Sequence, residues 1–286
     1  MSPLNERFGL ASRHVWVVGA GGGGIGTAVC AELAHAGVHV IAIDRSAEAL
    51  DATLARGAGQ LGSIEARILD ASDRSALHSL AQTEAKAGRI PSGLVNIVGG
   101  LQRNQFGAIL DTDEATLDAV LTLNLRVAWL ASQVFAEMLF KANQTGSIVQ
   151  LASIAALQGM PFGAPYAMAK AALISLCRTQ ALEWGPRGLR VNTIAAGTIR
   201  TPRSVTESSE RDRRVIPLGR RGETQDISGA ALFLLSDLAD FVTGQVLAVD
   251  GGASIKPSYL GDDGLPVFVE DAALRERLFG SPDTSE

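Results

Sequence analysis

Cysteine is nearly absent from this sequence. The 286 residues hold two, Cys30 and Cys177, and both fall in segments that read as helix, so no disulfide framework is expected and a reducing, cytoplasmic setting fits. Histidine is also scarce, and the four present are scattered without ligand spacing, which leaves no metal site to expect. Neither sign of charge dominates: 25 Lys and Arg stand against 30 Asp and Glu, a balance that gives no reason to expect a nucleic-acid partner. No run reaches the ~18 apolar residues of a spanning helix. The opening MSPLNERFGLASR lacks the apolar core and cleavage signal of a leader, so no membrane association is expected. There is no internal repeat and no low-complexity domain. A 47% hydrophobic content gives ample core, and chains of this length commonly form one α/β unit.

The stretch from Gln150 to Trp184 carries the chemistry. An apolar run, Ser147 to Ala152, reads as a buried strand ending near Ser153. After a loop punctuated by Gly and Pro, an Ala-rich helix begins near Pro165, which puts Tyr166 in its first turn and Lys170 at i+4 on the same face. A tyrosine of ordinary pKa, about 10, is a poor base at neutral pH, and a nearby ammonium favours the phenolate. Such a pair can exchange a proton with an alcohol. Ser153, 13 residues before Tyr166, sits where a strand's C-terminal end would present it to a reacting oxygen.

Earlier in the chain, the strand His14 to Val18 runs into Gly19-Ala-Gly-Gly-Gly-Gly-Ile-Gly26, with a helix from Thr27 to Ala36 behind it. A glycine-rich turn between strand and helix lets backbone amides approach a pyrophosphate at the helix N-terminus. The next strand, Val38 to Ile43, ends at Asp44, 18 residues after Gly26. That is near the ~20-residue offset of the acidic residue that binds the adenosine ribose and disfavours a 2′-phosphate. Arg45 pulls the other way, since it can pair with such a phosphate, and Asp44 can alternatively cap the helix that starts at Ser46.

With these motifs in this order, the chain resembles the short-chain dehydrogenase/reductase family from about Arg13 to Ala253. The resemblance implies that Tyr166 is the catalytic acid/base, that Lys170 tunes it and binds the nicotinamide ribose, that Ser153 orients the substrate oxygen, and that Asn124 completes a proton relay. It also implies cofactor contacts from Gly19, Gly24, Ile25, Gly26, Asp44, Asp70, Ala71, Asn96, Gly99, Ile199 and Thr201, besides Tyr166 and Lys170. Members that use NADP often carry a basic residue just before the second motif glycine; here Gly23 stands there, which favours NAD over NADP. Three places depart from the family pattern. The first motif glycine aligns with Ala20 unless Gly19 keeps its role in a loop one glycine longer, Asn-Asn-Ala-Gly appears as Asn96-Ile97-Val98-Gly99 without its second asparagine, and Ala196 replaces the proline of Pro-Gly.

Further strands are expected at Ile64–Leu69, Gly93–Val98, Leu189–Ala195 and Gln245–Val249, and a long helix from Asp111 to Lys141 with an apolar stripe at near-helical spacing. Seven strands alternating with helices imply an α/β, single-domain Rossmann fold with a doubly wound, mostly parallel sheet. The expected organisation is an N-terminal arm at 1–12, a dinucleotide-binding and catalytic domain at 13–255 and a C-terminal extension at 256–286. The arginine-rich segment 203–221 reads as a mobile lid, braced by Phe268 and Phe279 of the extension. The expected activity is NAD-linked interconversion of a secondary alcohol or diol and a ketone by a homodimer or homotetramer. The alternatives are an NADPH-dependent 3-oxoacyl-thioester reductase and a non-catalytic dinucleotide sensor.

Overall fold

The computed structural model describes residues 7–202, 204, 209–257 and 276–277. Its seven strands are β1 (His14–Val18), β2 (His39–Asp44), β3 (Ser63–Ile68), β4 (Gly93–Asn96), β5 (Gly146–Ser153), β6 (Leu189–Ala196) and β7 (Val246–Val249). They lie side by side in the order β3-β2-β1-β4-β5-β6-β7, and every pairing is parallel. The chain reverses its direction of travel across the sheet between β1 and β4. At such a switch point the loops beyond the strand C-termini part and leave a crevice for ligand.

The helices are α1 (Ile25–His35), α2 (Ala47–Gly57), α3 (Arg74–Lys86), α4 (Glu114–Leu121), α5 (Val127–Lys141), α6 (Ala164–Trp184), α7 (Ser209–Val215) and α8 (Thr224–Leu235). Side chains alternate across a strand, and in β1 Trp16 and Val18 enter one core while Val15 and Val17 enter the other. α3, α5 and α6 cover the first face through Leu77, Phe135, Leu139 and Cys177. α1, α2 and α8 cover the second through Val29, Leu33, Leu50 and Leu234. Burial on both faces explains why the central strands read as unbroken apolar runs. Both cysteines are free and buried.

One expectation, the unbroken long helix, needs amendment, and two others gain detail. Residues 7–12 are docked: Leu10 is buried in the second core and the Ser12 amide donates to Gly37 O at 2.8 Å. The long helix is interrupted, because a π-helical turn at Thr122–Arg126 separates α4 from α5. The run Glu114–Lys141 also passes as a membrane span by length and composition, with 56% of its most apolar window buried inside the protein. Its apolar stripe packs on the sheet, which is the use the periodicity predicts. Phe268 and Phe279 lie outside the described residues.

Candidate active site

The glycine loop is shaped by contacts that admit no side chain. A Cβ on Gly26 would stand 2.0 Å from Gly19 O, and one on Gly19, whose φ is +87°, would stand 2.8 Å from Val98 N. Gly19 therefore keeps its own structural role, and the loop accommodates Ala20 by burying it. The Gly21 amide donates to Asp44 Oδ2 at 3.0 Å, Gly22 to Ala49 O at 2.9 Å and Gly23 to Thr27 Oγ1 at 3.1 Å. Gly24 is the N-cap of α1 and offers no side chain, so the first amides of the helix have no protein partner among the described residues. A Cβ on Gly22 would meet nothing within 4 Å, and one on Gly24 would first meet Thr201 at 3.8 Å. Open space, bare amides and a helix N-terminus suit a diphosphate.

Asp44 closes this loop from below. Its Oδ2 accepts from Gly21 and its Oδ1 from the Ser46 amide at 3.2 Å. The cap of α2 is Ser46, which accepts from Ala49 N. A carboxylate has about four acceptor sites, so two remain for ribose hydroxyls. At the end of β3, Asp70 accepts from Ser72 N at 2.8 Å. That bond, with Arg45 contributing, holds its carboxyl below the usual range. Ala71 is buried in the first core, and Asp73, not Ser72, caps α3.

The chemical groups gather beyond β4 and β5. Ser153 ends β5, and its Oγ accepts from Ala155 N at 3.2 Å. Pro165 lies in the first turn of α6, and one turn on from Tyr166 the Lys170 Nζ lies 5.7 Å from the tyrosine ring centroid. Lys170 is 2% exposed and donates to Leu151 O at 2.8 Å. Burial brings its pKa down to about 8. Burial likewise pushes Tyr166 up, with the Ser153 hydroxyl working against it. The expectation of a tyrosine lowered by its lysine is therefore not met in the protein alone. The ammonium is turned to a carbonyl, and desolvation outweighs it.

Asn124 belongs to this cluster. It is fully buried, its Oδ1 accepts from Gly100 N at 2.7 Å, and its Nδ2 donates to Gly100 O at 2.9 Å and Val120 O at 3.0 Å. In the π turn the side chain thus takes the Val120 carbonyl. A Cβ on Gly99 would lie 2.6 Å from Asn124 Oδ1 and 2.7 Å from Lys170 Nζ, which shows how closely three of the expected residues converge. Asn96 does not join them. Its Nδ2 donates inward to Ser132 Oγ and Gln150 Oε1 at 3.1 and 3.0 Å, so its side chain cross-links the core instead of facing a cofactor. Val98 packs on the first core.

Ile199 bridges Gly222 and packs on the second core, so its side chain faces away from the cleft, whereas Thr201 faces the glycine loop. Arg203 lies outside the described residues. The described part of the expected lid is anchored: Arg221 Nε donates to Asp212 Oδ2 at 2.9 Å, with both side chains under a tenth exposed. Sequence reasoning missed Leu151, whose carbonyl holds the lysine, and Thr53, which meets Thr27 beneath the glycine loop. Neither position carries a motif, and the Thr27–Thr53 contact spans 26 residues.

Residues 19–254 match the family described as enoyl-(acyl carrier protein) reductase. The chain is 38% identical over 257 residues to galactitol 2-dehydrogenase (L-tagatose-forming) of Cereibacter sphaeroides, covering 87% of this chain and 97% of that one. It is 35% identical over 238 residues to the 3-oxoacyl-[acyl-carrier-protein] reductase of Thermotoga maritima, covering 81% and 94%. A protein of Agrobacterium tumefaciens solved with bound NADP superposes with a TM-score of 0.76 at 33% identity, covering 86% of this chain and 98% of that one. Matches of this length, joined to a parallel seven-stranded sheet that brings Ser153, Tyr166, Lys170 and Asn124 to one crevice, establish that the chain belongs to the short-chain dehydrogenase/reductase family.

Proposed function

We propose that this oxidoreductase interconverts a secondary alcohol or diol and a ketone, with NAD(H) as hydride carrier. The observation that carries the reading is the convergence of Asn124 and Lys170 on Gly99, with Tyr166 and Ser153 beside them at the end of β5. The nicotinamide, when bound, supplies or takes the hydride. In reduction protonated Tyr166 gives its proton to the carbonyl oxygen; in oxidation Tyr166 must first be ionised, and its phenolate then takes the hydroxyl proton. Ser153 Oγ accepts from Ala155 and its hydroxyl also meets the Tyr166 phenol, so the substrate oxygen would be held between the two hydroxyls. Lys170, poised at about 8, can pass the proton onward near neutral pH. Asn124 fixes the Gly100 peptide at the floor of this path.

Asp44 favours NAD, because a 2′-phosphate would meet a carboxylate already holding Gly21 and Ser46. Arg45 and the NADP-bound relative support the other cofactor. The Thermotoga relative supports a second reading, NADPH-linked reduction of a 3-oxoacyl thioester. A panel of alcohols, diols, ketones and a 3-oxoacyl thioester, followed by nicotinamide absorbance with each cofactor, separates them. The proposal expects the highest kcat/KM for an alcohol or diol with NAD. A preference for the thioester with NADPH would favour the second reading, and dinucleotide binding without turnover of any compound would favour a sensor.

The partner proposed for the α5 and α6 face is a second copy of this chain. Trp129 and Leu182 are exposed there, beside an open groove of about 430 Å³ lined by Phe140, Trp184 and Arg187 among others. Closed two-fold symmetry is the usual arrangement. Light scattering should return two or four times 29.8 kDa; a monomer would contradict it.

A further inference from the structure

Two fully buried threonines on different helices meet under the glycine loop. Thr27 Oγ1 lies 2.7 Å from Thr53 Oγ1, Thr53 Oγ1 donates to Ala20 O at 2.8 Å, and Gly23 N donates to Thr27 Oγ1 at 3.1 Å. The protons can be placed in one consistent order. Gly23 N–H donates to Thr27, the Thr27 hydroxyl donates to Thr53, and the Thr53 hydroxyl donates to the Ala20 carbonyl. Thr27 Oγ1 also lies within reach of Ala20 O, at 3.2 Å.

We propose that Thr27 and Thr53 are positioning residues for the dinucleotide: their hydroxyl chain joins Gly23 to Ala20 within the glycine loop and keeps the Ala20 carbonyl turned inward, away from the diphosphate. The inference rests on the reading of this loop as the dinucleotide site. Valine would fill nearly the same volume at either position, so packing alone does not require the hydroxyls. The main-chain groups do, because a buried amide or carbonyl without a partner is costly. Deprived of its partners, the Ala20 peptide would rotate toward water, and its carbonyl dipole would then face the phosphates it now avoids. The arrangement also ties the loop to α2. Ala49 accepts the Gly22 amide and Thr53 lies one turn further along the same face, so one helix holds both the loop and, through Ser46, the backbone after Asp44.

The test is direct binding of NADH and NADPH, read by their own fluorescence during titration with the full chain, together with steady-state kinetics. The double variant Thr27→Val/Thr53→Val should raise the NADH and NADPH dissociation constants by the same factor, about tenfold or about 1.4 kcal/mol, and Thr27→Val alone, which strands the Gly23 amide but leaves Thr53 on Ala20 O, by about threefold. Thr53→Val alone should likewise have an effect of about threefold, because the Thr27 hydroxyl can still reach Ala20. Thr27→Ser, which keeps the hydroxyl, should bind within about twofold of the parent, and in the valine variants kcat at saturating dinucleotide should hold while the dinucleotide KM rises. Should Thr27→Val fail to fold, Thr53→Val against Thr53→Ser makes the same comparison. Unchanged binding in the valine variants, equal damage by serine and valine, or a kcat that falls in step with affinity would overturn the inference. A parent that binds neither dinucleotide would overturn the reading of the loop, and the inference with it.

Discussion

Around the glycine loop, what faces the cleft is main chain: the amides at the start of α1, set by Gly19 and Gly26, with side chains such as Asp44 and Thr27 bracing the loop from behind. Around Tyr166 the groups are side chains, and the two that titrate are held in a dry environment that disfavours their charged forms. Lys170 is brought down to about 8 and Tyr166 is pushed up, both by burial. The difference explains where each half tolerates change. In the backbone cradle Gly19 keeps the position that admits no side chain, and Ala20 is tolerated beside it because its methyl is buried. A desolvated proton-transfer pair depends on its own functional groups, and no neighbour can replace the phenol.

The largest effect should come from breaking the chemical half alone. Tyr166→Phe removes the proton carrier and leaves the ring, so kcat should fall about 10²–10⁴-fold, while the NADH dissociation constant stays within about threefold. Equal loss of both would mean that the two halves are not separable. A smaller effect should come from the nucleotide half. Asp44→Ala should cut the preference for NAD over NADP by about tenfold or more, some 1.4 kcal/mol, with kcat at saturation little changed. Should the parent already prefer NADP, Arg45 governs the site and the carboxylate argument fails.

The smallest effect is thermodynamic and belongs to Lys170. Its folded pKa of about 8 lies below the ordinary 10.5, so between those values the unfolded chain binds the proton more readily than the folded one. Stability must rise with pH across that window, whereas below about pH 8 the full cost of the buried charge is present. Against Lys170→Met, whose other groups titrate alike, the parent should gain thermal midpoint from pH 8 to pH 10 by roughly 3 °C or more. A difference that stays flat across the window would mean that Lys170 keeps an ordinary pKa.

Much of this was legible before the structure, for physical reasons that also mark the limit. The central strands β1, β2 and β4 show as apolar runs because both sheet faces are covered there, whereas the edge strand β3 alternates and is half exposed. The spacing of Tyr166 and Lys170 fixes a shared helical face, and the strand before Gly19 and the helix after it give the loop its meaning. Spacing does not say where a flexible side chain points, so the turn of the Lys170 ammonium to Leu151 O was invisible, and with it the upward shift of Tyr166. The interruption at Thr122–Arg126 was not read from the sequence, although the apolar stripe steps six residues, from Leu121 to Val127, across it. Asn96, Ser132 and Gln150 form a buried cross-link between α5, β4 and β5, and Thr27 meets Thr53 between α1 and α2. Such contacts join positions that only the tertiary fold brings together.

The account stands most directly on the state of Tyr166 in the protein without dinucleotide. The chain has only two tyrosines, so ring-labelled tyrosine gives two resonances, and Tyr166→Phe assigns them. A pH titration followed by NMR should place the Tyr166 midpoint above the ordinary value of 10. A midpoint clearly below that value would show that Lys170 already holds a phenolate-favouring site in the free protein, and would contradict the claim that burial governs the chemical half.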